Sequence, residues 1–342
     1  MTRAAALAVL LAVLVGCGGS GPASASVAPT PCSAAVAITG FSDVLDGREY
    51  GARRVWPVTG LSGLAVDRDG ALLALGDRSV LFTLDPRARH PLGATPLADE
   101  DGRPLDAEGL AVDVAGTRLV TSETEPSVRR FDADARLVGH LDVPPALAVA
   151  PAGRATRNKT LEGIAVLAPG GPVIGAMEGP LAGDDPHVRR FPTWVGPAPG
   201  PQYAYRPDEG LDVSDLAATG DGRLLVLERS YTSGVGNAVH LALADPRGAA
   251  DVTTVPSLPD PSSAGGPAPI SRSLLADLGT CPTLGATAQQ TQTNPLLDDI
   301  EGMTVLGGTP DGALRILLVS DDNQDAAQTT RLYDLVVRLP AP

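Results

Sequence analysis

Short apolar stretches recur along the chain, and one small motif opens most of them. DAEGLAVDV, TLEGIAVLA, PDEGLDVSD and DDIEGMTVLG each place an acid before a glycine and an alternating run, and GLSGLAVDR does so with serine in the acid's place. Each alternating run reads as a strand. A turn follows (DRDG, VAGT, APGG, TGDG, TPDG) and then a second strand (ALLALGD, TRLVTSE, PVIGAME, RLLVLER, RILLVSD), so every unit is a hairpin.

The motif glycines, Gly63, Gly109, Gly163, Gly210 and Gly302, are 46, 54, 47 and 92 residues apart. A step near 46 matches a four-stranded propeller blade, and the last step is twice that length. A degenerate unit is therefore expected between 245 and 295, giving an all-β fold: a single six-bladed propeller. Thirty-nine glycines and 32 prolines suit many turns.

In such a fold the start of the first strand and the end of the second share one face. Glu108, Glu162, Glu209 and Glu301 would ring the channel mouth, with Asp77, Glu123, Glu178, Glu228, Asp321 and Asp322 around them. Clustered like charges need a counter-ion. An oxygen-only donor set suits calcium, with Glu108, Glu162, Glu209, Glu301 and Asp321 as ligands. Arg229 and Lys159, the only lysine in the chain, are internal alternatives. A structural reading stands beside these: each carboxylate latches backbone amides of the next blade, repeated because blades are copies.

The ends of the chain add a compartment. Arg3, the apolar run Ala4 to Val15 and LVGC resemble a bacterial lipobox. Residues 1–16 are then a signal peptide, Cys17 carries lipid, and 17–38 are a Gly/Ser/Pro tether before a domain at 39–342. The protein is expected on the extracytoplasmic face of a cell membrane, as a monomer. Cys32 and Cys281 remain, either as one disulfide or as two thiols. With 40 acids against 26 bases, the net charge of −14 disfavours nucleic acid as a partner.

LSGLAVDRDGALLALGDRS, RPDEGLDVSDLAATGDGRLLVLERSY and LLDDIEGMTVLGGTPDGALRILLVSDDNQ resemble the bacterial secreted domain called phytase-like, or esterase-like activity of phytase. The resemblance runs from about Phe41 to Leu339. It implies a propeller and phosphoester or ester hydrolysis. The chain has no GxSxG, HExxH or P-loop. His90, His140, His187 and His240 are scattered, with no metal-ligand spacing.

Two functions stay open. One is a metal-assisted hydrolase using Glu162, Lys159, Glu228, Arg229 and Asp322 on a small phosphoester or ester. The other is a non-catalytic cell-surface propeller that binds a ligand or protein.

Overall fold

A computed structural model of the chain describes Met1 and residues 30–260, 263 and 265–341. The expected signal peptide, Cys17 and most of the tether lie outside the described residues. The described chain is all-β apart from two single-turn 3₁₀ helices.

Five antiparallel sheets form five blades, numbered here in chain order by their inner strands: Leu61–Val66, Ala107–Val112, Leu161–Val166, Asp212–Ala218 and Asp299–Gly308. Each inner strand packs on the next, and the fifth returns to the first, so the ring is closed. The second strands are Leu72–Gly76, Arg118–Ser122, Val173–Met177, Leu224–Thr232 and Leu314–Asp321. Their apolar runs are buried on both faces because each blade is sandwiched between two others.

Five large hydrophobic clusters fill the five blade interfaces, from Leu64, Phe82 and Leu317 between blades 1 and 5 to Leu227, Leu241 and Ile316 between blades 4 and 5. The ring is closed by an early strand: Val36–Ser42 pairs with Leu332–Val337 at the outer side of blade 5. A disulfide between Cys32 and Cys281 fastens this closing strand to the segment after blade 4.

The sixth blade expected at 245–295 is not there, a correction to the sequence reading. Residues 271–277 are the outer strand of blade 4, paired with Gly236–Asp245. The described residues between 246 and 270 form an excursion whose Val252 and Leu258 pack on Val188 and Ala204 of the blade 3 region. The segment after Asp277 places Cys281, Leu296 and Leu297 against blades 4 and 5. The doubled spacing thus comes from insertions that cover blade edges. Their described residues contribute no inner strand to the channel.

Candidate functional site

Every inner strand carries a β-bulge at the same level. The ladder to the second strand slips by one residue at Ser62, Glu108, Glu162, Ser214 and Glu301. A bulge re-aims its side chain, and here it gathers three glutamates at one mouth of the channel. Glu108, Glu162 and Glu301 are only 9%, 8% and 8% exposed.

The glycine after each glutamate answers a packing need, with the backbone in an ordinary extended conformation. A Cβ on Gly109 would lie 2.2 Å from the carbonyl oxygen of Glu162 in the next blade, so only glycine lets the inner strands come this close.

Blade 4 breaks the pattern. Glu209 is exposed and Gly210, at φ +79°, belongs to the turn before the strand. The register of the ladder instead puts Ser214 at the glutamate position and Asp215 at the glycine position. Asp215 is buried and accepts the amides of Leu216 and of Met303 in blade 5, both at 2.7 Å. It is a latch between inner strands, and burial pushes its carboxyl well above the usual range despite those amides. Glu209 therefore does not join the ring expected of it.

A second ring comes from the second strands. Asp77, Glu123 and Glu178 donate their amides to Gly60, Asp106 and Thr160 of their own blades, and Asp321 faces Asp299. In blade 4 the same position, opposite Asp212, is held by Arg229. Glu228, one residue earlier, points to the other face of its strand. There it is fully buried and held by Arg272 through two bonds of 2.7 Å, with Tyr205 donating at 2.5 Å. Glu228 is thus removed from the mouth by the two-residue period of the strand.

Of the remaining expected residues, Lys159 bonds Asp212 at 2.6 Å and stands 3.6 Å from Glu178. Arg189 also holds Asp212, at 2.5 Å. Arg229 reaches Asp299 at 2.9 Å and also bonds Glu301. Asp322 is turned into the loop that joins blades 5 and 1, accepting from Thr59, Gly60 at 3.0 Å and Thr330 at 2.9 Å. Asp106, Asp212 and Asp299 are site residues the sequence reading passed over, as is the latch Asp215. The signal for two of them was legible, since Asp106 and Asp299 each stand two residues before a ring glutamate, on the same side of the strand.

The mouth is therefore electrically divided. Three bases, Lys159, Arg189 and Arg229, neutralise Asp212, Asp299 and Glu301 on the side of blades 4 and 5. No described base pairs with Glu108, Glu123, Glu162 or Asp321. Burial, reinforced by the neighbouring carboxylates, raises Glu108 and Glu162 well above the usual range. Burial, with the charge of Glu178 next, pushes Glu123 up to about 7. Burial pushes Asp321 up to about 7 even though the Asn323 amide opposes it. Glu301 is raised by burial despite Arg229. In addition, Glu123 Oε1 is buried with no hydrogen-bond donor. Buried acceptor oxygens without donors fit a hard cation, and among the described residues this cluster offers only carboxylate oxygens, a donor set that suits calcium better than zinc or copper.

The opposite mouth is plain. There a cavity of about 180 Å³ is lined by the ends of all five inner strands, Leu64 to Val66 and their counterparts.

A closed five-bladed ring with a carboxylate-rich site on its axis defines a β-propeller protein. The chain belongs to the phytase-like family, described as esterase-like activity of phytase, whose sequence profile matches residues 56–324. No curated protein sequence matches it. Among solved structures it is similar to a streptogramin B lyase, at 12% identity over 87% of this chain and 100% of that one, with a TM-score of 0.39. It is also similar to the glutaminyl cyclase of Myxococcus xanthus, at 12% identity over 89% and 97%, with a TM-score of 0.42.

Proposed function

We propose that this protein is an exported, lipid-anchored hydrolase of small phosphoesters or esters that works with calcium at the acidic mouth. The observation that carries the reading is the convergence of Glu108, Glu123, Glu162 and Asp321, unpaired with any described base, beside the charged heads of Lys159 and Arg229. Those four carboxylates, with Glu301, would hold the ion. When bound, calcium supplies charge that draws phosphate oxygens and makes a nearby water more acidic.

The chain's own residues do the rest. Glu162, deep in the mouth, accepts the proton of the attacking water. Lys159 is bonded to Asp212 but its side chain is 41% exposed, and an ammonium has three donors, so it can also meet an oxygen of the ester group. Arg229 fixes Glu301 and Asp299 and adds positive potential to the same side. Glu228 and Asp322 act on the scaffold, the first through Arg272 and the second through Thr59 and Gly60. The excess of acid over base keeps nucleic acid off the surface, and the monomer is the expected working unit.

The test is release of phosphate from phytate or a generic aryl phosphate, and of alcohol from an aryl ester, by metal-free protein with and without calcium. Calcium-dependent turnover lost in Glu162→Gln supports the reading. A calcium-binding protein that turns over neither class is the cell-surface binding propeller. Anchoring is tested separately: Cys17→Ser should abolish incorporation of labelled fatty acid and free the protein from membranes.

A further inference from the structure

We propose that the mouth holds two divalent cations in adjacent sites that share Glu123. The inference rests on the reading that the carboxylates bind metal at all, and it adds the number, position and unequal strength of the sites.

Two triads lie side by side. One is Asp106, Glu108 and Glu123; the other is Glu123, Glu162 and Glu178. In each, one oxygen per residue lies within 4.8 Å of the others. Glu123 belongs to both because of where its backbone is tied. Its amide bonds Asp106 of its own blade at 3.0 Å, and its carbonyl accepts Thr160 of blade 3 at 2.7 Å. The side chain is thereby held at the seam of blades 2 and 3, between the bulged glutamates of both.

An independent observation points to a ligand. Glu123 is 6% exposed, and its Oε1 is buried with no donor. The Glu178 carboxyl lies within hydrogen-bonding reach of the same side chain, and two ionised carboxylates cannot sit so close without a proton or a cation between them. A buried acceptor facing acceptors is costly, and a cation between them removes the cost. One carboxylate with an oxygen for each side can bridge two ions, as two-metal sites require.

The two sites differ in charge. No described base touches the first triad, whereas Lys159 stands 3.6 Å from Glu178 in the second. The first site should fill first and the second should be weaker, because the ion there competes with an ammonium.

The experiment uses the folded, metal-free protein at about 0.15 M salt, which screens exposed carboxylates from ions in solution. Calcium titration calorimetry and native mass spectrometry should give two ions per chain of unequal affinity. Asp106→Asn should weaken the tight step and Glu178→Gln the weak one, with both variants keeping their circular dichroism. Lys159→Met should tighten the weak step about tenfold, a coulombic change ordinary for one charge at this range. That variant cannot mimic lost folding, since its expected effect is a gain. One ion per chain, with affinity indifferent to Glu178→Gln and Lys159→Met, overturns the paired site and leaves the single-ion reading standing. No bound ion overturns both.

Discussion

Arg229 of blade 4 reaches across to Glu301 and Asp299 of blade 5, from the position where blades 2 and 3 carry Glu123 and Glu178. The one basic member of an otherwise acidic ring neutralises the neighbouring blade's carboxylates. Removing it should leave buried charge uncompensated. Arg229→Met is expected to destabilise the metal-free protein by about 3 kcal/mol. Calcium should restore part of the loss, read as a larger rise in melting temperature than in the parent. An unchanged melting curve would show that this pair adds nothing.

Asp215 predicts a different phenotype. Its two oxygens satisfy the amides of Leu216 and Met303. Asp215→Ala orphans both and should cost roughly 2–4 kcal/mol in denaturant unfolding. Asp215→Asn keeps one acceptor oxygen and should cost clearly less. In both variants calcium affinity should match the parent, since Asp215 serves the inner strands and not the ion. A weakened affinity would place it in the site.

The pH dependence follows from the raised carboxyls. Glu123 and Asp321 sit at about 7 in the folded protein, against about 4 for ordinary acids in an unfolded chain. Between those values the native state holds more protons than the unfolded state. Metal-free stability should therefore fall as pH rises from about 4.5 to 7, by at most about 1.4 kcal/mol per unit for each proton retained. Saturating calcium at neutral pH should flatten the slope by replacing those protons. Melting temperatures of the metal-free protein across pH 5 to 8 check this, and a rising curve contradicts it.

The disulfide closes the chain between Cys32 and Cys281, 249 residues apart. By chain entropy it contributes up to about 5 kcal/mol. The double variant Cys32→Ser, Cys281→Ser should melt lower and should first release the closing strand Val36–Ser42, visible as faster amide exchange there than in blades 1 to 3. Uniform exchange would mean that the strand pairing alone closes the ring.

Sequence periodicity was enough to establish hairpins, a repeating unit, a propeller and the convergence of first- and second-strand acids on one mouth, because each depends on local alternation and turn chemistry. Glu108, Glu162 and Glu301 came from that pattern, whereas Lys159 stood out as the only lysine and Arg229 as the residue after Glu228. Blade number was not legible, since the two insertions at 246–270 and 278–298 together have the length of one blade in a spacing count. The blade 4 register was missed for a similar reason: Glu209-Gly210 copies the motif but lies in a turn. The true counterpart, Asp212-Val213-Ser214-Asp215, keeps the spacing and changes the residues. A one-residue step in a strand reverses the face, so the choice between Glu228 and Arg229 required the ladder itself. Tertiary structure alone decided which acids meet a base. That depends on side chains from neighbouring blades, where Lys159 finds Asp212 and Arg229 finds Glu301 across long stretches of sequence.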